Sequence, residues 1–304
     1  MIFQIDLSVI AAKQDRELAK AIDLISSEGH YLDCTSQVYE YIETKVLVNA
    51  YLGTISIDEI RKNKEMFAPT ALKRNYCTTI LVGYGVNMLT INEVLFMLSK
   101  QSKLVLENGT YDWSTVKRWV DVLKNDRNYK SLNQMVMRSI DTHKLVVEHA
   151  GGAGGIRQRM EALQSEYGEN VARHKLLTVF DSDKISETDA GNHNEKLISF
   201  LSECNFLWHE LYKREMENYY SVKTYRLAGL VKDESLDELN SLTPQAYDYL
   251  DIEKSDNLSY TKRHMPLLAK YMDGDRLAER VSHHIRPDGI NEIQEIILLL
   301  AKYV

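Results

Sequence analysis

Cysteine is scarce in this chain, and long apolar runs are absent. Cys34, Cys77 and Cys204 stand far apart, so their spacing fits neither a disulfide framework nor a zinc site. Such usage is typical of reduced cysteines inside the cell. The first 20 residues lack the basic and apolar regions of a signal peptide, and no apolar run is long enough to span a bilayer. We therefore expect a cytoplasmic protein without a membrane partner.

An excess of positive charge is also missing. The chain carries 37 Lys and Arg against 44 Asp and Glu, which gives a formal net charge of −7. A protein of this charge binds nucleic acid only through a local basic patch, a metal ion or a basic partner. With 44% hydrophobic and 27% charged residues, its 304 residues are ordinary globular protein, enough for two or three compact units.

Residues 1–102 form a first region that the sequence predicts to be mostly helical. Apolar and polar residues alternate over residues 3–9, which indicates one short strand at the start. Helix-like stretches follow near 10–27, 36–52, 56–66 and 90–100, and capping boxes begin two of them, Ser56 with Glu59 and Thr90 with Glu93. Residues 75–86 fit a strand or a buried helix equally well.

Strands and helices alternate across residues 103–225. Apolar runs near residues 103, 143, 174 and 205 are separated by segments of helical periodicity, and this β-α-β-α-β-α-β order predicts a parallel sheet wrapped by helices. Helical spacing returns over residues 226–304. The predicted fold class is therefore α/β, a mainly parallel Rossmann-like sheet with helices on both faces, flanked by mostly helical N- and C-terminal regions.

Acidic residues follow three of the predicted strands. The stretch "LLTVFDSDK" (176–184) runs an apolar strand directly into Asp181 and Asp183, Glu107 ends the first strand, and Glu215 and Glu217 come after the fourth. Sites in open parallel α/β sheets form at the carboxyl ends of strands, so we expect these acids to meet. If the strand continues through Asp183, its pleat places both aspartates on one side.

Carboxylates crowded together repel each other unless a cation neutralises them, and hard oxygen ligands favour Mg²⁺ or Mn²⁺. The acids therefore predict a divalent-metal site. Two ordinary readings stay open: Asp181 and Asp183 cap the next helix, or Glu107 belongs to the turn chemistry of Asn108-Gly109.

Glycines and basic residues near these strands have two readings each. The run "AGGAGG" (150–155) either cradles a phosphate, with Gly151 and Gly152 as binding residues, or makes a tight turn that allows close backbone approach. In "HELYKREMENYY" (209–220), Lys213 and Arg214 either hold a phosphate or stabilise charge in a transition state, or they belong to a solvated edge.

Histidines give weaker signals. His149 and His209 lie near the predicted site and can face it, whereas His283 and His284 lack ligand-spaced partners in the sequence and read as surface or structural histidines. No Ser-His-Asp or Cys-His arrangement can be argued from the sequence.

The middle of the chain resembles the Toprim domain family, the metal-binding domains of topoisomerases, bacterial primases and overcoming-lysogenization-defect nucleases. The matching pieces are "LVLENGTYDW", "VVEHAGGAGG" and "VFDSDK", in the family's order, and "KREMENY" looks like the tail of Toprim-like domains in bacterial defence nucleases. The resemblance covers about residues 103–220. One departure is Asn108, which stands where the family often has glycine directly after the first Glu.

The resemblance implies a role for each matching acid. Glu107 would position or deprotonate a nucleophile, Asp181 and Asp183 would hold Mg²⁺, and Glu217 would complete a second metal site. Asp112 would be an additional ligand. Lys213 joins these acids as a candidate catalytic residue, and Arg214 is a candidate phosphate-binding residue.

The function implied is a Mg²⁺- or Mn²⁺-dependent nuclease that hydrolyses DNA or RNA, an effector of an antiphage or toxin-type system. Possible partners are a regulatory protein such as an ATPase and a second copy of the chain. Three alternatives stand beside it: a non-catalytic Toprim-fold nucleic-acid-binding or scaffold subunit, a receiver-like signalling domain, and a phosphotransferase or phosphatase acting on small phosphate esters.

Overall fold

Two compact units make up the chain in the computed structural model, which describes residues 1–47, 76–190 and 192–304. The N-terminal unit comprises Met1–Ser102, Gln164–Lys175 and Ala301–Val304, and the central unit comprises Lys103–Leu163 and Leu176–Leu300. The central unit thus begins at the residue where the sequence predicts the second region to begin, and it includes most of the predicted C-terminal helical region.

The N-terminal unit contains a three-stranded parallel sheet. Its strands are β1 (Ile2–Ile5), β2 (Tyr31–Cys34) and β3 (Thr79–Val82), in the order β2-β1-β3. The strand expected at the start is confirmed, and the ambiguous segment 75–86 contains a strand. The sequence did not indicate β2, because its four residues include Asp33 and show no alternation, and its partner strand lies far away in the chain.

Helices surround this small sheet. Thr90 and Glu93 form the expected capping box, with Glu93 N–H donating to Thr90 Oγ1 and Thr90 N–H donating to Glu93 Oε2. The predicted helix 56–66, its Ser56–Glu59 box and the end of 36–52 lie outside the described residues. The described helices of this part are Ser8–Ala12, Asp15–Ser27, Ser36–Tyr41 with a π-helical continuation Ile42–Val46, and Ile91–Ser99.

The four-stranded sheet of the central unit has the order β5-β4-β6-β7. Its strands are β4 (Ser102–Leu106), β5 (Leu145–His149), β6 (Leu176–Phe180) and β7 (Leu207–Glu210). β6 runs parallel to both neighbours, with Lys103 opposite Leu176 and Leu177 opposite Leu207. The α/β class and the predicted parallel pairing are confirmed.

Helices connect the strands as the periodicity predicts. Between β4 and β7 they are Tyr111–Leu123, Lys130–Asp141, Ala153–Tyr167, Glu169–Ala172 and Glu195–Glu203. After β7, short 3-10 turns, among them Met216–Tyr219 and Lys262–His264, alternate with the α-helices Val222–Leu227, Leu236–Ser241, Pro244–Asp248, Met265–Tyr271, Gly274–Val281 and Glu292–Ala301. No helix among the described residues is long and apolar enough to cross a membrane.

β6 forms the centre of the larger core. All five of its residues are buried, as expected of a parallel strand covered on both faces. Its one polar residue, Thr178, donates its hydroxyl to the Val105 carbonyl of β4 at 2.9 Å. Because that hydroxyl is satisfied, β6 carries no unpaired polar side chain into the core.

The connections leave a crevice at one end of this sheet. From β4 the chain moves outward to β5, and it then returns to β6 on the other side of β4. Loops that leave β4 and β6 at their carboxyl ends therefore diverge, and open α/β sheets bind ligands at such a switch point. Glu107 follows β4 and Asp181 follows β6, so this order places two of the predicted acids beside the switch point.

Leu177→Ala tests the central position of β6. Leu177 is fully buried, so truncation removes apolar contact and leaves a cavity, which should lower the free energy of unfolding by about 2–5 kcal/mol. Urea denaturation monitored by circular dichroism measures this. Ile185→Ala is the matched control because Ile185 is 68% exposed, and its effect should stay within about 0.5 kcal/mol. Equal effects of the two substitutions would contradict the assignment.

Candidate metal centre

Asp181 joins three parts of the central unit. It follows β6 directly, and its backbone N–H donates to Glu107 Oε1 at 3.1 Å. Its own Oδ1 accepts the backbone N–H of Met216 at 3.0 Å, in the turn after β7. The buried Asp181 carboxylate therefore lies where the ends of β4 and β6 meet the segment that carries Glu217.

Asn108 shapes the turn between Glu107 and the next helix. Its side-chain Oδ1 accepts the backbone N–H groups of Thr110 and Tyr111 at 3.1 and 3.2 Å, which starts the helix Tyr111–Leu123. Its own backbone N–H donates to Asp112 Oδ2 at 2.8 Å. The residue that departs from the Toprim pattern thus caps this helix and orients the buried Asp112.

Glu217 is the most enclosed of these acids. Its side chain is 0% exposed, and Oε1 accepts the hydroxyl of Tyr260 at 3.1 Å. Its Oε2 is buried and has no hydrogen-bond partner among the described residues. Burial of a carboxylate oxygen without a hydrogen-bond partner costs free energy. Glu217 Oε2 is therefore a candidate ligand for a cation.

Lys262 lies between two of the acids. Its Nζ is 3.7 Å from Asp181 Oδ2 and 3.7 Å from Glu217 Oε1, and its side chain is 28% exposed. Burial by itself lowers the pKa of Lys262, but the surrounding carboxylates outweigh that effect and raise it above the usual value. Among the described residues, Lys262 is the one cation within ion-pair distance of Asp181 or Glu217.

We call Glu107, Asp112, Asp181 and Glu217 the acidic cluster. Burial raises the pKa of all four carboxyl groups, to about 7 for Asp112, and repulsion from neighbouring carboxylates adds to the increase for Glu107, Asp112 and Asp181. The raised pKa values show that one lysine does not offset the charge that four ionised carboxylates would carry. Carboxylate oxygens are suitable ligands for a divalent cation, but no three of these four acids bring donor atoms within 4.8 Å of one another, so a shared ion would require the side chains to move.

Asp183 differs from Asp181 in its surroundings. β6 ends at Phe180, so the strand does not continue and the expectation that its pleat places both aspartates on one side is wrong. Asp183 is exposed, has a φ of 56°, and donates its backbone N–H to the Arg214 carbonyl at 3.0 Å. Its charge still helps to raise the pKa of Glu107, so it lies at the solvent side of the acidic cluster.

Glu215 is a further acid beside the cluster. Its Oε2 is also buried and has no hydrogen-bond partner among the described residues. Burial and the charge of Glu217 raise its pKa to about 7. The sequence pointed to this acid together with Glu217, whereas nothing in the sequence pointed to Tyr260 or Lys262, which lie 43 and 45 residues beyond Glu217 and meet it only in the folded chain.

Lys213 does not reach the acidic cluster, contrary to the catalytic role expected for it. Its side chain is completely buried and its Nζ bonds to Asp248 Oδ1, as does Arg280. Burial and the nearby Arg280 charge lower the pKa of Lys213 to about 8. Arg214, expected to bind phosphate, instead pairs with Asp251 at 3.0 Å and lies near Glu215.

Asp248 fixes the loop that carries Glu217. Its backbone carbonyl accepts the N–H of Arg214 at 2.9 Å, and Arg280, which bonds its carboxylate, also donates to the Asn218 carbonyl at 3.0 Å. Asn218 in turn donates to the Tyr247 carbonyl at 2.8 Å. Lys213 therefore helps to hold this loop through its ion pair with Asp248. It takes no part in the ion pairs that Lys262 makes with Asp181 and Glu217.

The glycines after β5 form a tight turn. Gly151 and Gly152 have φ values of +81° and +108°, and both donate their N–H groups to the Glu107 carbonyl, at 3.1 and 3.0 Å. Both N–H groups already donate to the Glu107 carbonyl, so they are not available to a phosphate. The turn therefore does not form the phosphate-binding site expected at Gly151 and Gly152. The close-approach reading describes it better.

His149 and His209 have separate positions. His149 Nδ1 accepts the Gly109 N–H at 3.0 Å, and a Cβ at Gly109 would lie 3.0 Å from the His149 Cα, so a side chain there would force the His149 backbone to shift by a few tenths of an ångström. His149 thus lies at the rim of the acidic cluster. His209 is buried and bonds to Glu292 at 2.9 Å, where it supports the core.

Comparison of the chain with protein-family models, curated proteins and solved structures finds no match. The geometry of the residues themselves is therefore what supports a function.

Asp112→Asn tests whether the Asp112 carboxyl is buried in the acidic cluster, because burial is the main cause of its raised pKa. The pKa of Asp112 is about 7 when folded, so the wild type loses stability through this group as the pH rises through about 4 to 7. In EDTA, the variant should gain about 2–4 kcal/mol relative to wild type between pH 5 and pH 8. Urea denaturation at both pH values measures this.

Asp237→Asn is the control for that experiment because Asp237 is exposed and lies outside the cluster. Its stability difference from wild type should not depend on pH over the same interval. A pH-independent difference for Asp112→Asn as well would show that the Asp112 carboxyl is not buried in the folded chain.

Lys262→Gln tests whether a metal can replace the lysine charge. Without metal, the variant leaves Asp181 and Glu217 unneutralised, so its melting temperature should fall by several degrees below that of wild type. Addition of Mg²⁺ or Mn²⁺ should remove most of that difference. Lys254→Gln, an 82% exposed lysine, is the control. A deficit that persists in saturating metal would mean that Lys262 has a packing role instead.

Proposed function

We propose that this protein is a divalent-metal-dependent phosphodiesterase that hydrolyses nucleic acid, with Mg²⁺ or Mn²⁺ bound by the acidic cluster. The observation that carries the proposal is a group of three buried carboxylates, Asp112, Asp181 and Glu217, beside the half-buried Glu107 at the sheet's switch point, in which Glu217 Oε2 has no partner among the described residues. Oxygen-only ligand sets of this kind suit Mg²⁺ and Mn²⁺.

Three residues of the acidic cluster and the nearby Asp183 have distinct parts in this proposal. Asp181 and Glu217 face the same cation, Lys262, and would hold a metal in its neighbourhood. Glu107 is bound to the Asp181 backbone and would be the third ligand, while the exposed Asp183 would reach a metal from the solvent side. Bound divalent ions would activate water and stabilise the leaving oxygen of a phosphodiester.

The nucleic-acid substrate is inferred from charge and from the Toprim resemblance. A chain with a net charge of −7 needs local positive charge to approach a polyanion, and metal ions at the acidic cluster would supply it. Lys262, once released from the carboxylates by a metal, would face the bound phosphate. By the same resemblance, we propose an antiphage or toxin-type effector, regulated by a protein partner such as an ATPase.

A metal-free scaffold is the second candidate function. Lys262 already places a positive charge between Asp181 and Glu217, and a lysine in that position can substitute for an ion in a subunit that has lost catalysis. Such a protein would keep the fold and bind nucleic acid or a larger complex without turnover. The position of Lys262 is the observation that favours this candidate.

Cleavage of a substrate panel separates the two candidates. Plasmid, single-stranded DNA and total RNA including tRNA would be incubated with the protein in Mg²⁺, Mn²⁺ or EDTA. We expect metal-dependent cleavage of at least one polymer, reduced at least about 100-fold in Asp181→Asn and Glu217→Gln, because each removes a charged metal ligand. The exposed Glu195→Gln should cleave like wild type.

Metal-dependent melting gives the complementary measurement. No cleavage, together with a melting temperature that responds equally to Mg²⁺ in wild type and Glu217→Gln, would contradict a metal-dependent enzyme and favour the scaffold. Turnover of small phosphate esters without cleavage of polymers would instead identify a phosphatase.

A further inference from the structure

A second group of side chains that can bind a metal lies apart from the acidic cluster, around the carboxylate that pairs with Lys213 Nζ. Asp248, His283 and His284 place one donor atom each within 4.8 Å of one another. Asp248 ends the helix Pro244–Asp248, and the two histidines follow the helix Gly274–Val281. We call these three residues the Asp–His–His cluster. Among the described residues, it is the one group of three that meets this spacing.

Both imidazoles of the Asp–His–His cluster face the same carboxylate oxygen. Nε2 of His283 is 2.5 Å and Nε2 of His284 is 3.0 Å from Asp248 Oδ2. The ring centroids lie 4.4 Å apart. An ion that replaced the protons in these two hydrogen bonds would meet three donors that are already convergent, so little rearrangement is needed.

The remaining surroundings of Asp248 orient its carboxylate. Oδ1 is bonded to Lys213 and Arg280, which leaves Oδ2 for the two histidines. The Asp248 side chain is fully buried, whereas those of His283 and His284 are 17% and 23% exposed. An ion could therefore enter from the histidine side, with the carboxylate held in place beneath it.

The donor set decides which ion fits. Two imidazoles and one carboxylate suit Zn²⁺, Ni²⁺, Cu²⁺ or Co²⁺, whereas Mg²⁺ prefers oxygen ligands alone. Lys213 and Arg280 already offset the charge of the carboxylate, so the two neutral imidazoles must supply most of the affinity. Imidazole nitrogen is a good ligand for Zn²⁺ and a poor one for Mg²⁺, so the site favours zinc over magnesium.

We propose that Asp248, His283 and His284 form a binding site for a zinc-class ion, independent of the metal centre proposed for catalysis. The ion would join the turn at His283–His284 to the end of the helix Pro244–Asp248. Because the Asp248 carbonyl holds the Arg214 N–H, the site would also steady the loop that carries Glu217. With three protein ligands, the ion would keep a fourth position open on the solvent side.

Cobalt and zinc titrations of the full-length protein test the proposal, in saturating Mg²⁺ so that the acidic cluster is occupied. The test variant is His283→Gln with His284→Gln, since glutamine keeps a donor for Asp248. His193→Gln, at an exposed histidine, is the matched control, and Glu217→Gln removes the other centre. Absorption bands of bound Co²⁺ and calorimetry with Zn²⁺ are the readouts.

We expect one ion per chain in wild type, His193→Gln and Glu217→Gln, with visible Co²⁺ bands of nitrogen ligation. The double histidine variant should bind at least tenfold more weakly, and its melting temperature should no longer rise with Zn²⁺. Circular dichroism that matches wild type without metal would confirm that this variant folds.

Three outcomes would overturn the site. Equal affinity in the double histidine variant would place the ion elsewhere, and an absence of binding in wild type would show that Lys213 and Arg280 keep cations away from Asp248. Loss of binding in Glu217→Gln alone would assign the ion to the acidic cluster. Because these readouts do not depend on cleavage, a failed nuclease assay leaves the test intact.

Discussion

The repulsion among buried carboxylates at the ends of β4 and β6 is the constraint on which the central unit depends. Asp181 can stay at that position because Met216 donates to it and its own backbone binds Glu107. Each of these bonds fixes one loop against another. Hydrogen bonds therefore hold Asp181 in place, although the charges of neighbouring carboxylates repel its own.

Two carboxylates of the same unit show how strongly the surroundings decide charge. Burial and neighbouring acids raise the pKa of Asp112 to about 7. Burial also opposes ionisation of Asp248, but the hydrogen bond from His284 and the charges of Lys213 and Arg280 lower its pKa to about 2. Asp248 therefore stays ionised as the partner of Lys213 and Arg280, whereas Asp112 loses its proton only near neutral pH.

Lys262 offsets part of the negative charge of the acidic cluster. Its ammonium group lies 3.7 Å from both Asp181 Oδ2 and Glu217 Oε1, while Glu217 Oε2 has no hydrogen-bond partner among the described residues. Because the Lys262 side chain is 28% exposed, solvent screens part of its attraction to the two carboxylates.

The sequence by itself determined the α/β alternation and the acids at the strand ends, because strand and helix periodicity and the placement of Glu107 and Asp181 are local properties of the chain. Only the tertiary structure decided that Lys213 anchors the Asp248 group, that Asp183 turns to solvent, and that Lys262 and Tyr260 join Glu217. These pairings link residues 35 to 45 positions apart. No local pattern records such contacts, since they depend on how the later helices pack on the sheet.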